Sequence, residues 1–283
     1  MNLSRRDYCM AVLGTSALPA SYWITQPNSR ARSLSDEGGS AFADYHTTLA
    51  NGLTPGHVIW NGRKWRCAMG STWNPGMDHC LRLTAKRARF EIRDSPIDRG
   101  PNDNPAKRRS EMRFPKSPRL PNGVPLWGAT SFLHHRRADP EGMAKRWGGV
   151  HGQLHIGSTF GGSPAVAFRR LRRGEFAITT RGENDEEGSV RYRGPLSFDQ
   201  VHHMVYRVVL HPSEGALNVW LDGQQVLDLR GASIGSSHAE CYWSFGCYYS
   251  GGITCPIIAE YGDHFYPSPT DLRARIPFRP TWS

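Results

Sequence analysis

Three short segments of this chain carry polar side chains at every second residue. The segments are 109–113 (RSEMR), 153–156 (QLHI) and 242–248 (YWSFGCY). Because successive side chains of a β-strand point to opposite faces, the alternate residues of each segment share one face. The residues that share it are Arg109, Glu111, Arg113, Gln153, His155, Tyr242, Ser244, Gly246 and Tyr248. Groups that transfer protons lie here beside cations that stabilise negative charge, as in an acid–base site for an anionic substrate.

The opposite face of the same segments is apolar. It carries Met112, Leu154, Ile156, Trp243, Phe245 and Cys247. This alternation predicts strands with one face towards a core, and it makes Cys247 a buried structural thiol. No C-x-x-C pair is present, which argues against a zinc site.

The motifs R-[ST]-E-x-R, Q-x-H and Y-x-x-x-G-x-Y, in this order, resemble those of the jelly-roll polysaccharide lyases. That group includes alginate lyases of this fold, glucuronan lyases and heparin lyase I. The resemblance extends from about Trp60 to Ile276, and the segments 88–93 (ARFEIR) and 215–223 (GALNVWLDG) are similar to the glucuronan and heparin lyase branch. It implies an all-β fold: a concanavalin A-like β-jelly-roll sandwich of two antiparallel sheets with a concave substrate cleft.

The resemblance also implies roles. Arg109 and Gln153 would neutralise the carboxylate of a uronic acid, so that the proton at C5 can be removed. His155 would act as the base or assist in neutralisation, and Tyr248 as the acid or as both acid and base. For glucuronate or mannuronate, where the proton and the leaving oxygen share a face, one tyrosine serves both steps. For iduronate or guluronate, His155 and Tyr248 would divide the work.

Further residues are candidates for binding the sugar chain: Arg113, His79, Trp147, Tyr242 and Ser244. Trp127 is a candidate for stacking on sugars or for the core. Glu111, between two arginines, is expected to hold them by charge-assisted hydrogen bonds. Alginate lyases have a lysine at the position of Ser244, which counts against alginate as the substrate. The similarity of segment 88–93 to the glucuronan and heparin lyase branch favours β-1,4-glucuronan, with alginate or a heparin-like glycosaminoglycan as the alternatives.

The lyase interpretation has competitors. A glycoside hydrolase of the same fold would need paired carboxylates, and the usual Glu-x-Asp-x-x-Glu signature is absent from the sequence. A non-catalytic carbohydrate-binding module would share the fold but would not need Gln, His and Tyr together. No nucleic-acid-binding motif is found. The elimination requires no cofactor or metal; a structural Ca²⁺ is compatible with such sandwiches, although no typical calcium loop is present.

The rest of the chain suits this fold. Its 283 residues contain 30 Gly and 20 Pro and little helical periodicity, which indicates many short strands and turns. The Asp222-Gly223 pair between 216–221 and 224–229 predicts a β-hairpin. A formal charge of +10 favours a polyanionic partner such as an acidic polysaccharide. No apolar run reaches the ~18 residues of a membrane span, and we expect a monomer.

The N-terminus has the composition of an export signal. Ser4, Arg5, Arg6 and Tyr8 precede a short, weakly apolar stretch, which resembles a twin-arginine signal. We therefore expect a signal peptide at 1–20, a linker at 21–40, a lyase domain at 41–283, and a periplasmic or secreted protein.

Overall fold

The computed structural model describes residues 57–67, 79–93, 107–114, 120–136, 149–156, 164–171, 174–183, 185, 188–237, 241–250, 253, 256–280 and 282. The signal and linker predicted for 1–40 lie outside these residues, as does Trp147. The described chain forms fifteen strands: β1 His57–Trp60, β2 Arg63–Cys67, β3 Leu81–Leu83, β4 Arg87–Ile92, β5 Lys107–Arg113, β6 Pro125–His134, β7 Gly149–His155, β8 Pro164–Arg170, β9 Glu175–Thr180, β10 Ser189–Pro195, β11 His202–Val209, β12 His211–Leu221, β13 Gln224–Ile234, β14 Tyr242–Ser250 and β15 Ile257–Ser268. A short 3-10 helix, Arg273–Arg275, follows β15.

The strands form two antiparallel sheets. The eight-stranded sheet has the order β1-β2-β5-β14-β7-β8-β9-β10, and the seven-stranded sheet has the order β13-β12-β11-β6-β15-β4-β3. Strands that are distant in sequence are therefore neighbours in both sheets. This architecture confirms the expected all-β sandwich.

The core lies between the inner faces of the two sheets and is rich in aromatic rings. Trp65 meets Phe245 edge to face at 5.2 Å, and Phe90 meets Phe245 at 5.5 Å. Met112, Leu154 and Cys247 are also buried there, as their alternation predicts. Since each large side chain contributes about 1.5–3 kcal/mol when buried, the inner faces fix which residues point outwards.

The predicted hairpin joins β12 to β13. Leu221 pairs with Gln224, and both Asp222 (φ 50°) and Gly223 (φ 80°) have positive φ. Two positive φ angles are what a tight two-residue hairpin turn requires.

A β-bulge interrupts the pairing of β14 with β7. Phe245 pairs with Gly152 and Tyr248 with Val150, so two residues of β14, Gly246 and Cys247, lie opposite His151. Gly246 has a φ of 138°, and a Cβ atom there would overlap the Ser110 carbonyl oxygen. Only glycine therefore fits this point.

The C-terminal segment covers part of the outer face of the seven-stranded sheet. Leu272 and Ile276 pack there against Trp127, Ala129, Val205 and Trp220. The Trp127 and Trp220 rings are stacked at 5.8 Å. Trp127 is thus a packing residue of this sheet, remote from the polar strands. No helix in the described part of the chain is long and apolar enough to cross a membrane.

Candidate active site

The three polar segments lie side by side as β5, β14 and β7, the central strands of the eight-stranded sheet. Tyr248 pairs with Arg109, and Ser244 pairs with Arg113 on one side and Gln153 on the other. Tyr242 pairs with His155. The structure therefore brings these side chains onto one outward face, which we call the site face.

A buried carboxylate organises the centre of the site face. The Glu111 side chain is 2% exposed, and its Oε1 accepts hydrogen bonds from Gln153 Nε2 at 2.7 Å and Ser244 Oγ at 3.3 Å. Its Oε2 lies 3.8 Å from Arg109 Nε. One carboxylate thus fixes the orientation of both predicted carboxylate-neutralising groups. Ser244 supports Glu111 rather than standing open to a substrate, since it is also only 2% exposed.

Tyr248 lies among cations. The Arg109 guanidinium carbon is 4.8 Å from the centre of its ring, and Lys107 Nζ is 6.0 Å away.

A third cation, Arg169 of β8, approaches Tyr248 from the other side. Val150 lies between them, pairing with both Tyr248 and Arg169. Burial and the charge of Arg181 lower the pKa of Arg169 to about 10, while the Tyr248 phenolate acts in the opposite direction. Sequence analysis missed Arg169, because its position beside Tyr248 depends on the β7–β8 register, which shifts between Val150 and Gly152.

The other end of the site face holds His155 and Tyr242. Their rings are stacked at 5.1 Å, and the Arg113 guanidinium carbon lies 5.7 Å from the Tyr242 ring. Burial raises the pKa of Tyr242, although the charge of Arg113 opposes this. Arg66 of β2 pairs with Arg113 and extends the cationic edge, another residue that sequence analysis missed.

The two ends of the site face are well separated. Tyr242 and Tyr248 are six residues apart on β14, or roughly 20 Å at about 3.4 Å per residue. His155 pairs with Tyr242, and Tyr248 pairs with Arg109. The structure therefore groups His155 with Tyr242 and groups Tyr248 with Arg109.

His79 lies just before β3 of the seven-stranded sheet. Its Nε2 is 3.1 Å from Cys80 Sγ, and its place in the site stays a prediction. Among the described residues, no group of three or more His, Cys, Asp or Glu side chains is arranged to hold a metal ion.

The interior directly behind the site face is also polar. His134 and His151 are 1% and 4% exposed, and their rings are 4.1 Å apart. Burial lowers the pKa of both well below the usual range, as does the nearby charge of Arg170.

Tyr261 of β15 links this interior to the bulge. Its hydroxyl lies 2.9 Å from the carbonyl oxygens of His151 and Gly246. A cavity of about 20 Å³ beside these rings has room for one water molecule.

Comparisons with known proteins support the fold. No protein-family model matches the chain, and no curated protein sequence matches it. The structure of alginate lyase A1-II′, a member of polysaccharide lyase family 7, has a TM-score of 0.50 and 15% identity, covering 70% of this chain and 91% of that chain. A variant of A1-II′ in complex with substrate has a TM-score of 0.51 and 14% identity, covering 74% and 94%.

A further solved structure is an endo-β-1,4-glucuronan lyase from the fungus Trichoderma reesei. It has a TM-score of 0.49 and 12% identity, covering 66% of this chain and 83% of that chain. The two matches to alginate lyase A1-II′ show that this chain shares the jelly-roll fold of that polysaccharide lyase.

Proposed function

We propose that this protein is a polysaccharide lyase that cleaves a β-1,4-linked polyglucuronate by β-elimination. The observation that carries this proposal is the row Tyr248–Arg109–Glu111–Gln153, in which a proton-transferring group adjoins two carboxylate-binding groups fixed by one buried carboxylate. A surface that only bound sugars would not need a tyrosine surrounded by cations.

The reaction begins with neutralisation of the substrate carboxylate. Arg109 and the side-chain amide of Gln153 bind its oxygens, so that the negative charge developing at C5 spreads into a stabilised enolate-like intermediate. The C5–H bond then breaks and the proton passes to Tyr248 Oη. Arg109, Lys107 and Arg169 favour the phenolate that acts as base.

The second step expels the leaving group. The C4–O bond breaks, the C4=C5 double bond forms, and Tyr248 returns its proton to the leaving oxygen. No water or redox partner is consumed. The products are one chain with a new 4-hydroxyl end and one with an unsaturated uronate.

The separation of His155 from Tyr248 supports the choice of substrate. His155 pairs with Tyr242, six residues along β14 from Tyr248, so we assign both proton transfers to Tyr248 and not to His155. One tyrosine serves both steps only if the proton and the leaving oxygen share a face, as in glucuronate and mannuronate. Ser244 in place of the alginate-lyase lysine favours glucuronate. His155 then binds the neighbouring sugar together with Tyr242 and Arg113.

The test is to follow the ultraviolet absorbance of unsaturated uronate while the protein acts on glucuronan, alginate, heparin, heparan sulfate, hyaluronan and chondroitin. We expect the absorbance to rise fastest on glucuronan. A faster rise in absorbance on alginate or heparin would support the lyase activity but change the proposed substrate. Binding of a polysaccharide without any rise in absorbance would instead support a carbohydrate-binding module.

We further propose that the protein is exported by the twin-arginine route, on the basis of Arg5 and Arg6. Replacing both by lysine should leave the folded protein in the cytoplasm, as measured by cell fractionation. Export of this double variant at an unchanged level would contradict the proposal.

A further inference from the structure

A second groove opens on the side of the sandwich opposite the site face. Its volume is about 1,010 Å³, and its walls are the β1–β2 turn, the β3–β4 turn, β15 and the C-terminal segment. Arg87 and Gly262, which line it, are a cross-strand pair on the outer face of the seven-stranded sheet. The part of the groove formed by Arg87 and Gly262 therefore lies on the other side of the sandwich from Tyr248, while the β1–β2 turn contributes one wall from the edge of the eight-stranded sheet.

The groove is strongly cationic. Arg63, Lys86, Arg87 and Arg279 line it, and among the described residues of the lining only Asp263 carries a carboxylate. Asp263 already accepts a hydrogen bond from Ser131 and lies 4.0 Å from Arg275. The net charge of the lining is thus positive and suits an anionic ligand.

Two of these cations are available to a ligand. In the described part of the chain, the charged ends of Arg63 and Lys86 make no ion pair and no hydrogen bond, and both residues are exposed. Arg63 instead lies 5.8 Å from the centre of the Tyr266 ring. Arg279 is held by the Asp222 carbonyl oxygen at 2.6 Å, so its guanidinium is fixed in place.

Aromatic rings line the same groove. Phe265 is 38% exposed, one of four large hydrophobic residues so exposed in the part of the chain described. Trp282 packs over Gly262, where a Cβ atom would lie 3.2 Å from its ring. Arg87 lies 5.5 Å above the same ring. Flat apolar rings among cations fit a sugar chain, whose pyranose rings present C–H faces and whose uronates present carboxylates.

We infer that this groove is a second binding site for an acidic polysaccharide, which holds a long chain while another stretch of it is cut at the site face. The ligand class rests on the proposed function, whereas the groove and its charge do not. Two sites on one molecule raise the effective concentration of polymer, so they favour long chains over short ones.

The test uses the full chain carrying Tyr248→Phe, so that the polymer stays intact, in native gels containing polyglucuronate. The groove variant is Arg63→Gln with Lys86→Gln. The matched control is Arg207→Gln with Arg230→Gln, which removes the same number of positive charges from the seven-stranded sheet outside the groove. We expect the groove variant to bind the polymer about fivefold to tenfold more weakly and the control less than twofold. Phe265→Ala should weaken binding about threefold.

A second measurement uses the Tyr248 form of the same variants. The groove variant should raise KM for the polymer while leaving cleavage of short oligouronates unchanged within about twofold. Equal retardation of the groove variant, the control and the parent by polyglucuronate would overturn the inference. A parallel gel containing DNA tests whether the groove prefers another polyanion. A groove variant that loses binding to DNA but keeps its binding to polyglucuronate would also overturn the inference.

The two proposals fail separately. If the groove variant weakens retardation but no unsaturated product forms, the groove remains a binding site and the lyase proposal is rejected. If the polymer is cleaved but the groove variant is retarded as strongly as the parent, the lyase proposal stands and the groove proposal is rejected.

Discussion

The site face and the interior behind it contain the same kinds of side chain, but their settings differ. Both hold histidine, tyrosine and arginine: His155, Tyr248 and Arg109 on the face, and His151, Tyr261 and Arg170 inside. On the face, Glu111 contacts Arg109, Gln153 and Ser244, and the side chains of His155, Tyr248 and Arg109 are partly exposed. Inside, the histidines are buried and their pKa values are lowered. Residue type alone therefore does not mark a site; access and a fixed carboxylate do.

The difference arises within one strand. His151 and His155 are four residues apart on β7, so strict alternation would place both on the site face. The β-bulge at Gly246 and Cys247 turns His151 inwards, where its Nδ1 lies 3.1 Å from the Tyr261 hydroxyl. One extra residue in a neighbouring strand thus changes a candidate catalytic group into a packing group.

The largest expected effect separates the two tyrosines of the site face. Tyr248→Phe should lower kcat about 10³-fold, because it removes the group that takes and returns the proton. Tyr242→Phe, the matched control, should lower it less than tenfold, since burial raises the pKa of Tyr242 and makes it a poor base. Initial rates on glucuronan measure both, and a larger loss in Tyr242→Phe would move the chemistry to the His155 end.

The next effect concerns Glu111. Glu111→Gln should reduce kcat/KM about 100-fold and the free energy of unfolding by about 1–3 kcal/mol, because Gln153 and Ser244 lose a charged acceptor. Glu91 is a comparable buried carboxylate, 4% exposed and 2.8 Å from Arg89 in the seven-stranded sheet. Glu91→Gln should lower stability without lowering the rate. Equal rate losses in the two variants would mean that Glu111 acts only through stability.

The interior should respond to pH. The unfolded chain protonates histidine near pH 6.5, whereas the fold keeps His134, His151 and His264 neutral, with the pKa of His264 at about 3. Stability is therefore complete above pH 6.5 and decreases below it, by up to about 1.4 kcal/mol per pH unit for each histidine.

Urea unfolding at pH 7 and pH 5.5 measures this decrease. The double variant His134→Gln and His151→Gln should show a smaller difference between the two pH values, whereas His155→Gln should show the same difference as the unmodified protein. An unchanged difference in the double variant would show that these two histidines do not carry the effect.

The smallest effect concerns Arg169. Arg169→Gln should lower kcat about threefold to tenfold and move the pH–rate profile to higher pH, because one cation that favours the Tyr248 phenolate is removed. Arg193→Gln neutralises another arginine of the same sheet, which lies on β10 and forms an ion pair with Glu175 of β9. The control should leave the pH–rate profile unchanged, and an equal shift in both would indicate a general charge effect.

Much of this arrangement could be predicted from the sequence, because it rests on local alternation. The facing of Glu111, Gln153, His155 and Tyr248, the buried Cys247 and the Asp222-Gly223 turn all follow from short patterns. The position of Arg169 could not be predicted, since it depends on a register shift between strands β7 and β8. The resemblance to known lyases also suggested that His155 and Tyr248 could act together, and this stays a prediction.

The contact between Tyr261 and the bulge links the seven-stranded sheet to the proposed catalytic tyrosine. The Tyr261 hydroxyl touches the carbonyl oxygens of His151 and Gly246, and Gly246 lies two residues before Tyr248. Under the proposed function, a substitution that shifts Tyr261 would move the backbone beneath Tyr248 without touching any sugar. Random mutagenesis for altered activity should therefore recover changes on the inner face of the seven-stranded sheet. Redesign of substrate range is safer in the loops than around Tyr261.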